Sequence, residues 1–138
     1  MTIKEKLQND FTFVLEMEVR DYELDTEKIV NNANYLHYLE HTRHKFCETA
    51  GYPFIRMVNE NIITVVKKIN LEYFVPLKSG DSFFSCLNIY RKGPRFLFIQ
   101  NIYKTDGQLS ISAEITVVAI KDGKVSRGDE IARIFNLK

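Results

Sequence analysis

The chain has 138 residues, 45% of them apolar and 27% charged, which fits one globular domain and leaves little room for a second. Nineteen basic residues stand against eighteen acidic ones, a net charge of +1 that lacks the basic excess of a dedicated nucleic-acid binder. The two cysteines, Cys47 and Cys86, form neither a CxxC pair nor a zinc-ligand spacing and read as small core residues.

The opening stretch, MTIKEKLQNDF, has no apolar segment of the secretory kind. No run of 18 apolar residues follows it, so a cytoplasmic protein with no membrane insertion is expected. From Phe11 the chain alternates, with Phe11, Phe13, Leu15, Met17 and Val19 on one face, and this predicts a half-buried strand. Asp21 to Asn32 is polar and without period, a loop. Residues 32–51 then form an amphipathic helix of about five turns. Leu36, Leu39, Phe46, Cys47 and Ala50 share its apolar stripe. Asn31 or Asn32 caps its start, and Gly51 with Pro53 ends it.

Four strand patterns follow, from Lys67 to Val75, from Ser82 to Tyr90, over 95–103, and from Leu109 to Ala119. The intervening turns are Pro76 to Asp81, Arg91 to Pro94 and Thr105 to Gly107; Asp122-Gly123 follows, and the tail holds a short helix. The order predicts a single α+β domain over 1–138: one long helix wrapped by a five-stranded antiparallel sheet, with the last four strands in a meander.

Asp25 lies seven residues before Asn32. A helix N-terminus offers unpaired N–H groups and partial positive charge, which stabilise an oxyanion formed from a thioester carbonyl. A carboxylate beside that carbonyl attacks it directly or activates a water. By spacing alone, an Asp in such a loop serves equally as a turn or capping residue.

The stretch from Asp25 to Tyr35 resembles the signature of the 4-hydroxybenzoyl-CoA thioesterase family and its Tol–Pal-cluster acyl-CoA thioesterase relatives, D-x-x-G-x-V-x-x-x-N-Y followed by a helix. Asp25, Val30, Asn34 and Tyr35 fall on its positions, and Glu40 and Arg43 stand where such residues are common. Tyr73, Pro76, Gly80 and Asp81 resemble the family's Y-x-x-P-x-x-x-G-D turn. The resemblance covers residues 11 to 121 and implies a hotdog fold that hydrolyses acyl-CoA to a carboxylic acid and free CoA. It implies Asp25 as nucleophile or general base, the Asn32 N–H as oxyanion donor, and Val30, Asn34 and Tyr35 around the substrate. It also implies a homodimer or homotetramer with the site at a subunit interface, and no metal or redox cofactor.

Two positions depart from the pattern: Lys28 replaces the usual glycine and Asn32 a common histidine. The string from Val30 to Tyr35 also resembles acyl-ACP thioesterases, whose catalytic Asn and His fall here on Glu27 and Ile29. Acyl-ACP hydrolysis, or non-catalytic binding of an acyl thioester, therefore stands as an alternative.

His37-Tyr38-Leu39-Glu40-His41 matches the zinc-protease string H-x-x-E-H, with His44 nearby, and reads more simply as a polar helix flank. Glu40 is the second candidate carboxylate, or a structural partner of Arg43 at i, i+3. Arg91, Lys92 and Arg95, with Lys104, form a basic turn suited to CoA phosphates or simply a soluble hairpin tip. Phe83, Phe84, Phe96 and Phe98 line an acyl pocket or fill the core.

Overall fold

The computed structural model describes residues 1–138 as α1 (Ile3–Asp10), β1 (Phe13–Glu18), α2 (Asn32–Thr49), α3 (Phe54–Asn59), β2 (Ile62–Tyr73), β3 (Ser82–Lys92), β4 (Arg95–Lys104), β5 (Leu109–Lys121), β6 (Lys124–Val125) and α4 (Asp129–Ile134). One antiparallel sheet runs in the order β1-β3-β4-β5-β2, with the two-residue β6 beside β5. No helix is long and apolar enough to cross a membrane.

The sheet order corrects the expected four-strand meander. β3, β4 and β5 are hairpin neighbours, but β2 pairs with β5, and β3 takes β1 as its other neighbour. The segment after β2 is no tight turn. It carries Leu77 into the core, fully buried, with its N–H donating to the Tyr35 hydroxyl at 2.9 Å. The chain thus passes the start of α2 before it re-enters the sheet.

β2 also begins at Ile62 and not at Lys67, because a bulge at Lys67 interrupts the alternation. Thr64 and Val66 before the bulge, and Ile69, Leu71 and Tyr73 after it, pair with the core-facing row Ala119, Val117, Ile115, Ala113 and Ile111.

α2 is capped by Asn31, whose Oδ1 accepts the Ala33 N–H at 2.9 Å. The helix is rotated relative to the expected stripe: Tyr35, Tyr38, Leu39, Thr42 and Phe46 are buried, while Leu36 and Ala50 face solvent. Tyrosine and threonine take the inner face because each hydroxyl has a partner there. Thr42 Oγ1 donates to the Tyr38 carbonyl at 2.7 Å and lies 2.6 Å from Ser85 Oγ.

Leu39, with Phe83, Leu87, Ile102, Ile111 and Ile115, forms a fully buried core between helix and sheet. Each such side chain contributes about 2–3 kcal/mol. α1 lies outside this core and buries Leu7 with Phe84 and Cys86, while Cys47 is half-buried at the edge of the main core. α4 closes the far end. Its preceding Gly128 has φ 89°, and a Cβ there would stand 2.8 Å from the Phe96 ring.

Candidate active site

The loop between β1 and α2 is built on Glu23, a carboxylate 6% exposed. Its Oε1 accepts the Tyr38 hydroxyl at 2.7 Å and the Arg20 N–H at 2.7 Å. Its Oε2 lies 3.2 Å from Arg20 Nη1. Its backbone carbonyl accepts the Asn31 N–H at 3.0 Å and Asn34 Nδ2 at 2.8 Å. Burial, and then the bond to Glu23, hold the Tyr38 hydroxyl well above its ordinary pKa.

A small hairpin follows, with Leu24 bridged to Val30. The Asp25 N–H donates to the Ile29 carbonyl at 2.8 Å, and Asp25 Oδ1 accepts the Glu27 N–H at 2.8 Å. Asp25 is half-buried, and its Oδ2 has no protein partner. Lys28 sits at φ 65°, in the left-handed region that glycine occupies without strain. The backbone shape of the signature is therefore kept although its glycine is not.

The first residue of α2 is Asn32, whose N–H has no intrahelical acceptor and no other partner. Beside it lies a cavity of about 80 Å³ walled by Val30, Asn32, Tyr35, Tyr73, Pro76 and Ser110. That volume holds two or three waters at about 30 Å³ each. The Tyr73 hydroxyl donates to the Asn32 carbonyl at 3.2 Å and fixes the helix start.

Ser110 was not among the residues the sequence singled out. It is buried, and its Oγ has no hydrogen-bond partner. Strict alternation puts it on the outer face of β5. The ladder slips there, however: Ile102 pairs with Ile111 and Tyr103 with Leu109, leaving Ser110 as the extra residue. A bulge alters the alternation there, and Ser110 stands in the wall of the cavity at the helix start. The turn residues Thr105 to Gly107 are the only sequence signal for it, and they do not fix the register.

Val30 and Tyr35 thus reach the cavity, while the Asn34 amide is occupied with Glu23. Asp25 itself is not in the cavity wall; Ile29 and Val30, on the opposite strand of its hairpin, are. Glu40 is exposed two turns along α2, 4.0 Å from His44 Nε2, and makes no ion pair with Arg43. His37 and His41 are exposed, and His44 stacks on Phe54 with centroids 4.7 Å apart. No group of three His, Cys, Asp or Glu side chains is placed to hold a metal ion.

The basic turn is tied back onto the fold. Arg91 donates to Asp129 Oδ1 at 2.6 Å and to the Gly93 and Arg127 carbonyls, tying the hairpin to α4. Lys92 and Arg95 are exposed at the tip. β4 spans ten residues, about 30 Å, and separates this tip from the end of the sheet where α2 starts. Within one chain these cations are not brought to Asp25. Phe83 and Phe84 lie in the core clusters, while Phe96 and Phe98 are buried and also line a second cavity.

An antiparallel sheet curled around one long helix, entered through a carboxylate-bearing loop, defines a hotdog domain of the thioesterase type. Residues 19–133 match the model of the thioesterase-like superfamily, and the chain belongs to that superfamily. It is 38% identical over 69 residues to the acyl-acyl carrier protein thioesterase ATL3 of Arabidopsis thaliana, a match over 50% of this chain and 36% of that protein. The chain thus spans only about a third of that relative's length. It is 30% identical over 107 residues to the putative acyl-CoA thioesterase YneP of Bacillus subtilis, covering 76% of this chain and 77% of that one. The crystal structure of YbaW, a probable thioesterase from Escherichia coli, superposes with a TM-score of 0.78 at 30% identity, over 88% of this chain and 95% of that one.

Proposed function

We propose that the protein hydrolyses acyl-CoA thioesters at the start of α2, releasing a carboxylic acid and free CoA. One observation carries the reading: Asn32, whose N–H is unpaired, and Ser110, whose buried hydroxyl has no partner, both stand in the wall of one cavity beside the Asp25 hairpin. The thioester oxygen accepts from the Asn32 N–H, and Ser110 supplies a second donor as negative charge grows on that oxygen. Asp25 takes a proton from a water that attacks the carbonyl, or attacks it directly to form an anhydride that water then cleaves. The thiolate leaves and is protonated as CoA.

The carrier has a second reading. The similarity to ATL3 covers half of this chain and favours an acyl carrier protein, whereas the match to YneP covers about three-quarters of both chains and favours CoA.

The site is completed in a homo-oligomer. β2 is paired only with β5 and exposes Ile63 and Val65, on the face away from the core-facing row, along an open edge, which soluble proteins rarely leave uncovered. A second copy pairing along β2 would cover it. Light scattering is expected to return a dimer or tetramer, and a monomer at micromolar concentration contradicts this part of the reading.

The test of function is thiol release from short, long and aromatic acyl-CoAs by the wild-type protein, with the same acyl groups on an acyl carrier protein in parallel. Turnover of one acyl-CoA class is expected. Binding of acyl-CoA without thiol release sinks the hydrolytic reading in favour of a binding module. Ser110→Ala is expected to lower kcat by about 10- to 100-fold with little change in KM, as loss of one oxyanion donor does. Because the hydroxyl has no native partner, the same change should leave stability equal or higher. A Ser110→Ala protein with wild-type kcat removes Ser110 from the mechanism.

A further inference from the structure

A second cavity, of about 210 Å³, lies between the later turns of α2 and the concave face of the sheet. A cavity of about 150 Å³ holds benzene, so this one takes a ring or a short stretch of acyl chain. Nine of its thirteen lining residues are hydrophobic, among them Phe96, Phe98 and Phe135, which makes the guanidinium of Arg43 the unexpected member.

Arg43 Nη1 donates to Oε1 of the fully buried Gln100 at 2.9 Å, and its guanidinium lies 5.9 Å from the Phe98 ring centroid. Gln100 is fixed in turn, its Nε2 donating to the Leu39 carbonyl at 3.1 Å. No carboxylate pairs with Arg43: Glu40, on the cavity rim, has a side chain 62% exposed and sits by His44. Burial lowers the Arg43 pKa, partly opposed by Glu40, yet an arginine remains charged in proteins. Arg43 is half-buried and makes one side-chain hydrogen bond, so its guanidinium keeps donors free for an anion that enters the cavity.

The large cavity and the small one at the helix start lie at opposite ends of one face of β2. The core-facing residues of that strand run from Tyr73, in the wall of the small cavity, through Leu71 and Ile69 to Val66 and Thr64, in the wall of the large one. Ile69 and Val66 are 41% and 42% exposed, so this is an uncovered apolar track. From Asn32 to Arg43 is eleven residues of α2, about 16 Å.

We propose that this track and cavity receive the acyl chain, and that Arg43 binds an anionic oxygen group, a carboxylate, at the chain's far end. The proposal rests on the hydrolytic reading for the thioester end only. The Arg43 site is an anion site whether or not turnover occurs.

Titration of the wild type with decanoate and with 1-decanol tests it by isothermal calorimetry. Decanoate should bind at least about tenfold more tightly, the scale of a charged hydrogen bond. Arg43→Met should erase the difference and Arg43→Lys should keep part of it, both judged on protein shown folded by circular dichroism. Equal wild-type affinities, or a preference that survives Arg43→Met, overturn the proposal, and the wild-type comparison decides even if the variants do not fold. In the thiol-release assay, an acyl-CoA with a terminal carboxylate should exceed its unsubstituted partner of equal length by about tenfold in kcat/KM, and the reverse order contradicts the assignment. If no thioester is cleaved while the decanoate preference stands, the hydrolytic reading fails and the anion site remains.

Discussion

Replacing Glu23 with alanine is expected to lower the stability of the fold by about 3 kcal/mol. The ion pair with Arg20 supplies little of this, because the Arg20 side chain is 50% exposed and water replaces its partner. The larger loss lies with Tyr38, a buried hydroxyl whose hydrogen bond is to Glu23. Each buried donor left without an acceptor costs about 1–3 kcal/mol. Glu23→Gln keeps an acceptor at Oε1 and should cost only about 1 kcal/mol. Thermal unfolding of both variants checks the pair, with a fall in Tm of about 10 °C expected for Glu23→Ala. Two variants of equal stability would mean that the carboxylate position does not hold the loop.

Much of this architecture is legible in the residues themselves. The alternation of β1, β3, β4 and β5 and the length of α2 follow from periodicity, and the Asp25 loop follows from its resemblance to a family signature. What periodicity misses has specific causes. The place of β2 in the sheet depends on Leu77, which crosses the helix start and is fixed by Tyr35, a contact between residues 42 positions apart. The bulges at Lys67 and Ser110 shift alternation by one residue, which hides the start of β2 and the burial of Ser110 from a strict period of two. The buried face of α2 is carried by tyrosines and a threonine whose hydroxyls are satisfied only in three dimensions. Glu23 looks like any loop glutamate until Tyr38 is placed over it. The distance of the basic turn from Asp25 within one chain was not legible either, because sequence does not show at which end of a strand a hairpin emerges.

The variant Asp25→Asn is expected to lower kcat/KM by about 10²- to 10⁴-fold, the range for losing a positioned general base. Asparagine is chosen because its Oδ1 still accepts the Glu27 N–H, so the hairpin that shapes the cavity wall stands. Stability should stay within about 0.5 kcal/mol of wild type, which separates a chemical loss from a structural one. Glu40→Gln serves as the contrast: Glu40 is exposed on α2, away from the small cavity, and its activity should stay near wild type. The decisive measurement is kcat/KM by thiol release for wild type and Asp25→Asn, side by side, on the preferred acyl-CoA. A loss of at least a hundredfold in a protein that unfolds at the wild-type urea midpoint is the result predicted here. Activity in Asp25→Asn within about twofold of wild type would contradict the assignment of Asp25 and, with a matching loss in Glu40→Gln, would move the chemistry to Glu40.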